Sequence, residues 1–137
     1  MERHKQKKIH MDIDYTVQTN KSFDEAVESI ALETEKAGFR VLHIHDVQDT
    51  LSKKGFTIEP LKIIEICNAK NAYEALQKNI SLALMLPCKI NVYEKNGMVS
   101  LSALRPTVMK NVFPDMDMTD LITEVDERMK EIVDKAK

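Results

Sequence analysis

The sequence predicts an α+β domain, in which helices pack on an antiparallel sheet. Two observations support this fold class. Strand-like and helix-like segments follow one another in mixed order, and Asn96-Gly97 between two alternating segments predicts a β-hairpin, which joins antiparallel strands. The 137 residues fit one domain. We expect residues 11–137 to form it, and residues 1–10 to be a flexible, basic N-terminal segment.

The first predicted elements are a strand and a capped helix. Apolar and polar residues alternate from Met11 to Val17, which predicts a strand with one buried face. Ser22 and Glu25 then form a capping-box pattern, in which the two side chains satisfy backbone amides at the start of a helix. We expect this helix to end at Gly38, because glycine readily adopts the left-handed conformation that ends many helices.

The middle of the chain predicts two further strands, each followed by a short helix. The second strand runs from Arg40 to His45, and Asp46 is suited to cap a helix after it. A β-branched run that ends at Cys67 predicts the third strand. Asn68 is suited to cap the next helix, since its side chain can accept a hydrogen bond from a backbone amide.

The last part of the chain predicts the hairpin and a closing helix. Residues 82–94 are expected to be extended up to the hairpin turn, which pairs Val92 with Leu101. A long amphipathic helix is expected to begin near Asp117 or Thr119. The predicted order is therefore β-α-β-β-β-β-α, with an additional short helix after each of the second and third strands.

Several short motifs between Gly38 and Arg105 together resemble the domain-of-unknown-function 302 family. They are Gly38-Phe39 before a strand, Asp46-Val47 after it, the strand end Cys67-Asn68, and Leu86-Pro87-Cys88 at the start of the hairpin. The resemblance implies a curved antiparallel sheet with helices on one face, similar to the TATA-binding-protein-like fold. This chain has Ala69 where the family usually has proline. The family name records no established activity, so the resemblance supplies no catalytic residue.

The composition argues against several classes of function. The chain has 20 Lys and Arg against 22 Asp and Glu, and only 5% aromatic residues. We therefore expect no nucleic-acid partner, since phosphate binding needs basic groups and base stacking needs aromatic ones. Only three glycines are present, and none forms a Gly-rich phosphate loop. No apolar segment has the length of a signal peptide or a membrane span, so we expect a cytoplasmic protein without a membrane partner.

Strand alternation divides the predicted sheet into a covered face and an open face. We expect helices to cover an apolar set: Ile13, Leu42, Ile44, Ile64, Ile66, Ile90, Val92, Val99 and Leu101. The open face then collects a polar set: Asp12, Asp14, Thr16, His43, His45, Glu65, Cys67, Asn91, Tyr93, Ser100 and Ser102. An antiparallel sheet in water commonly has one wet face, and the functional interpretation of this one is a shallow binding site.

The sequence predicts a small cytoplasmic binding or interaction module that acts as a homodimer. Its predicted ligand site on the open face comprises His43, His45, Glu65, Cys67, Asn68 and Tyr93. An apolar patch near Met109, Met116 and Met118 is the predicted subunit contact. We expect the eight methionines to fill irregular gaps in the core rather than to mark a copper site. No motif fixes a reaction, a cofactor or a ligand.

One alternative is a divalent-metal site that uses His43 and His45. Two histidines one residue apart on a strand project to the same side and could share an ion of the zinc type. Asp12, Asp14 or Glu65 could add an oxygen ligand. No CxxC or HExxH spacing supports such a site, and histidines on surface strands are commoner than metal ligands.

A second alternative is a thiol-dependent enzyme or redox protein centred on Cys67. This cysteine directly precedes a predicted helix, whose N-terminus favours a thiolate. A bridge to Cys88 is not expected, because strand parity points Cys67 to the open face and Cys88 to the core. We expect both cysteines to be reduced, as is usual in the cytoplasm, and Cys88 to act as a small buried apolar residue.

Overall fold

The computed structural model of the protein describes residues 13–137. The predicted flexible segment 1–10 and the predicted strand positions Met11 and Asp12 lie outside the described residues. The elements in chain order are β1 (Asp14–Thr19), α1 (Phe23–Lys36), β2 (Arg40–Asp46), α2 (Val47–Ser52), β3 (Leu61–Cys67), α3 (Ala69–Lys78), a 3₁₀ helix (Ile80–Met85), β4 (Cys88–Lys95), β5 (Met98–Leu104), a 3₁₀ turn (Pro106–Val108), α4 (Met109–Val112) and α5 (Thr119–Ala136).

The strands form one antiparallel sheet in the order β1-β5-β4-β3-β2. The hairpin is as predicted, with Val92 opposite Leu101. Its turn residues Asn96 and Gly97 have φ angles of 54° and 82°, in the left-handed region that such a turn requires. The sheet is open, with β1 and β2 at its edges, and the α+β prediction is confirmed.

Three predicted helix caps are present. The amide of Glu25 donates to the Ser22 hydroxyl at 3.2 Å, and the Glu25 carboxylate accepts from the Ser22 amide at 3.0 Å. Asp46 caps α2 by accepting from the amide of Asp49 at 2.9 Å. Asn68 caps α3 in the same manner. These local hydrogen bonds explain why the helices begin where the sequence indicates.

The structure corrects the prediction that residues 82–94 are extended throughout. Ile80–Met85 is a 3₁₀ helix, and β4 begins only at Cys88. The Asn79 side chain accepts from the amide of Ser81 at 2.8 Å, which starts the 3₁₀ helix. Leu82 is fully buried and anchors this helix to the rest of the protein. Local capping and one buried side chain thus override the strand propensity of the segment.

The structure also corrects the predicted position of Leu42. The register between β2 and β3 shifts between Val41 and His43, so Leu42 is the extra residue of a β-bulge. Its side chain is 54% exposed, not covered by a helix. Ile13, which precedes β1, and Ile44 on β2 are also exposed rather than covered, because both lie at outer edges of the sheet that the helices cover incompletely.

Two apolar clusters form the core of the part of the chain that the structure describes. The larger cluster lies between the sheet and helices α1 and α5, and includes the fully buried Ile30, Ile64 and Ile90. The smaller cluster includes Leu82 and Ile122, and it joins α3, the 3₁₀ helix and the start of α5. Leu121 packs against both clusters, so the candidate site described below lies where they meet.

Among residues 13–137, no helix combines the length and the apolar composition that crossing a membrane requires.

Candidate functional site

The structure separates the predicted site residues into two places. The first is on the open face, where the rings of His43 and His45 meet edge to face with centroids 4.2 Å apart. Their projection to the same side is as predicted. The His45 Nε2 atom lies 3.1 Å from the Glu65 Oε2 atom. His43, His45 and Glu65 therefore form one polar group at the β2 edge of the sheet.

Tyr93 does not join that group. It lies on β4, opposite Leu61 on β3 and Ser100 on β5. The histidines are on β2, two strands away in the sheet order. The polar open face is therefore a row of separate groups rather than one converging site.

The described side chains of the open face do not form a metal site with three or more ligands. Within residues 13–137, no three or more His, Cys, Asp or Glu side chains are grouped so that they could hold one. Asp14 lies on β1, at the opposite edge of the sheet from the histidines, so it cannot complete the set. Divalent-metal binding by His43 and His45 stays a prediction, with Glu65 as the neighbouring oxygen group.

The second place is a cleft of about 50 Å³ at the end of the sheet, between β3, α3 and α5. Cys67 and Asn68 line it, together with Cys88. The cleft wall is almost entirely apolar, and its apolar lining residues include Phe39, Ile66, Leu86, Pro106, Leu121 and Val125. It is partly open to solvent, with Asn71 and Ala72 of α3 also among the lining residues.

Two hydrogen bonds of the Asn68 side chain fix the turn of the chain between β3 and α3, beside the cleft. Its Oδ1 atom accepts from the amide of Asn71 at 3.0 Å, which caps α3. Its Nδ2 atom donates to the Gly38 carbonyl at 3.1 Å, which ties the start of α3 to the chain entering β2. Gly38 has a φ angle of 86°, a conformation that favours glycine. Both ends of the Asn68 amide are thus used to hold the cleft in shape.

A buried ion pair holds the opposite side of the cleft. The Arg105 Nε and Nη2 atoms each lie 3.2 Å from an oxygen of Asp126, which is only 5% exposed. Lys130 adds a longer contact of 3.8 Å to the same carboxylate. Because Arg105 directly precedes the lining residue Pro106, this pair fixes the segment that closes the cleft.

Sequence reasoning missed this ion pair. The available signal was an acidic residue, Asp126, immediately beside Val125 on the apolar stripe of the closing helix. A carboxylate at such a position predicts a buried partner, because an unpaired buried charge is very costly.

The two cysteines are both free, as expected. Cys88 lies opposite Ile66 and points into the core, as strand parity predicts. Burial, and to a smaller extent the negative charge of a Cys67 thiolate, raise the pKa of Cys88 to about 11, although the Lys89 ammonium acts in the opposite direction. Both cysteines line one cleft, which parity alone did not predict.

The thiol of Cys67 is not activated by its surroundings. Partial burial raises its pKa above the ordinary value, although the residue precedes the N-terminus of α3. A reactive thiol requires a lowered pKa, so this direction disfavours the nucleophile hypothesis. A thiol-dependent enzyme centred on Cys67 stays a prediction.

The fold and the cleft define a class: an α+β domain with a one-sided antiparallel sheet and a thiol-lined apolar cleft at one end. The chain belongs to the family described as the domain of unknown function DUF302, whose model matches residues 15–136. The resemblance drawn from the short motifs is thereby confirmed.

The fold is similar to a solved structure from the same family. The crystal structure of an uncharacterized conserved DUF302 protein from Bacillus stearothermophilus matches with a TM-score of 0.87 and 26% sequence identity. The match covers 93% of this chain and 100% of that chain. None of the curated proteins compared with the chain matches it.

Proposed function

We propose that this protein is a small binding module and that the cleft at Cys67 and Cys88 is its binding site. One observation carries the proposal: a partly open, apolar cavity of about 50 Å³ lies where the two core clusters meet. At about 24 cal/mol per Å³, a cavity of that size costs on the order of 1 kcal/mol of stability. A ligand that fills the cavity would recover this free energy.

The size of the cavity limits the ligand. Pockets for drug-sized molecules are typically about 300 Å³ or larger. A cavity of about 50 Å³ instead suits a small apolar molecule, or the apolar end of a larger one that extends outward. Asn71 at the cleft is half-buried and offers an amide to orient a polar end.

Xenon is a suitable probe, because it enters apolar cavities without needing a specific contact. We expect dissolved xenon to shift the ¹³C-methyl NMR signals of Met109 and Met118, which line the cleft. The signal of Met98, which lies on the distant hairpin, is the internal control and is expected to stay unchanged.

A matched pair of variants locates the effect. Ala72→Leu adds bulk to a residue that lines the cleft and is expected to abolish the xenon shifts. Ala83→Leu adds the same bulk at an exposed position and is expected to leave them intact. Shifts that survive Ala72→Leu, or that are absent from the unmodified protein, would contradict the proposal.

The open face is a second candidate, favoured by the contact between His45 and Glu65 at 3.1 Å. Its probe is a divalent zinc ion. If the site exists, His43→Ala combined with His45→Ala abolishes zinc binding without unfolding the protein. Zinc binding that is absent, or unchanged in the double variant, would remove this candidate.

We also infer a homodimer, but Met109 and Met118 of the predicted subunit contact are buried in the core and cannot form it. Its contact is instead assigned to apolar side chains that are exposed near the cleft. Tyr73, Ile80, Leu84 and Val112 are exposed on α3, the 3₁₀ helix and α4. Leu84→Ser is expected to shift native mass spectra of the untagged protein from dimer to monomer, whereas Leu32→Ser on α1 is expected to leave the dimer intact. A monomeric unmodified protein would contradict this inference. The cytoplasmic location stays a prediction.

A further inference from the structure

We propose that the cleft binds a soft monovalent metal ion of the cuprous type, held by Cys67 and Cys88 and completed by Met109 and Met118. The inference rests on the proposed function, because it names a ligand class for the same cleft. It also revises the expectation that all the methionines only fill gaps in the core.

Four sulfur-bearing residues converge on this small cavity from separate parts of the chain. Cys67 ends β3 and Cys88 begins β4. Met109 begins α4, and Met118 immediately precedes α5. All four line the same cavity of about 50 Å³, and both methionines are buried. Neither cysteine is committed to a disulfide.

The chemistry of these donors selects the class of ion. Thiolate and thioether sulfur are soft ligands that favour Cu(I), whereas magnesium and calcium prefer oxygen. Within the described residues 13–137, no Asp or Glu lines the cleft. Structural zinc takes four nitrogen, oxygen or thiolate ligands, and no such group of three or more occurs within residues 13–137. A pair of thiolates is sufficient for a cuprous ion.

The charges of the bound state can balance. Each thiol releases its proton to solvent as its sulfur binds the ion, so one Cu⁺ and two thiolates carry a net charge of −1. Lys89 directly follows Cys88 on β4. Its Nζ atom is 3.4 Å from the Pro87 carbonyl, beside the cleft. Lys89 can therefore offset the remaining charge, and the thioethers add ligands without adding charge.

The test is an anaerobic titration of the full, reduced chain with Cu(I) in competition with a chromogenic Cu(I) chelator. We expect one ion to be retained per chain, with an ultraviolet thiolate-to-copper absorption band. Cys67→Ser and Cys88→Ser are each expected to weaken binding by at least about 100-fold, since even residues that only support a metal ligand contribute roughly 10- to 100-fold.

The methionines are tested in the same titration. Met109→Leu and Met118→Leu keep the side-chain size and are expected to weaken binding by roughly tenfold. Met98→Leu, outside the cleft, is the control and is expected to have no effect. Thermal unfolding checks that each variant is folded; if Cys88→Ser is not, the half-buried Cys67→Ser decides the outcome.

Binding that is absent, or unchanged in both cysteine variants, overturns the metal proposal. The xenon experiment on metal-free protein separates this failure from failure of the proposed function. If xenon shifts the methyl signals but the protein retains no copper, the cleft is still an apolar binding site and only the metal proposal is rejected. If the protein retains copper but xenon shifts no methyl signal, the metal proposal is supported and the proposal of an apolar ligand is rejected.

Discussion

The two halves of the molecule differ in how completely their apolar side chains are buried. In the scaffold half, formed by the sheet with α1 and most of α5, Ile30, Ile64 and Ile90 are fully buried. In the cleft half, formed by α3, the following 3₁₀ helix and residues 105–118, the core is small and borders a cavity. The comparison suggests that the scaffold supplies stability, while the incompletely filled half supplies the candidate site.

The largest expected difference between the halves is in the effect of truncating a core side chain. Ile90→Ala in the scaffold half creates a new cavity and is expected to lower the free energy of unfolding by roughly 4 kcal/mol. Met109→Ala only enlarges an existing cleft and is expected to cost roughly 2 kcal/mol, because fewer contacts are lost. Urea unfolding of both variants measures the difference. Equal losses would show that the two halves are packed alike.

The ion pair between Arg105 and Asp126 links the two halves. Asp126→Ala leaves the Arg105 guanidinium partly buried without this carboxylate, and is expected to cost about 3 kcal/mol. Glu127→Ala removes an exposed carboxylate next to Asp126 on the same helix, and is expected to cost well below 1 kcal/mol. Thermal unfolding compares the two. Similar melting temperatures for both variants would contradict the linking role of the ion pair.

Helix capping gives a smaller contrast between the halves. Ser22→Ala removes the cap of α1 and is expected to cost about 1 kcal/mol. Asn68→Ala removes the cap of α3 and also the hydrogen bond to the Gly38 carbonyl, so it is expected to cost about 1 kcal/mol more. Urea unfolding measures both losses. A smaller loss for Asn68→Ala would show that the cleft floor does not depend on this side chain.

The effect expected to be smallest at neutral pH is a dependence of stability on alkaline pH. The folded protein keeps the Cys88 proton up to about pH 11 because burial raises its pKa, whereas an unfolded cysteine loses it near pH 8.5. The native state therefore binds more protons between these values. The contribution of Cys88 is present below about pH 8.5 and is lost as pH rises toward about 11. Cys88→Ala is expected to flatten the decline in unfolding free energy over this range, and an unchanged slope would contradict the stated burial.

Local signals made most of the scaffold half predictable from the sequence. The cap at Ser22 and the turn at Asn96-Gly97 depend on neighbouring residues alone, and the turn then sets the pairing of β4 with β5. Leu42 was misplaced because a β-bulge shifts the strand parity at that point. At Leu42, parity therefore failed because the ladder itself is irregular.

The cleft half was less predictable, because its geometry depends on contacts between distant segments. The run of apolar residues at 80–85 is compatible with a strand or a helix, and the burial of Leu82 decides between them. The convergence of Cys67 with Cys88 depends on how β3 and β4 end beside α3. Single-sequence periodicity carries no information about such an arrangement.

The most direct test of the cleft as a binding site is a crystal structure of the reduced protein pressurised with xenon. We expect a xenon atom between the Cys88 side of the sheet and Met109, inside the cleft. We expect its density to disappear in Ala72→Leu and to persist in Ala83→Leu. If neighbouring side chains fill the cleft and xenon binds only elsewhere, the cleft is not a binding site.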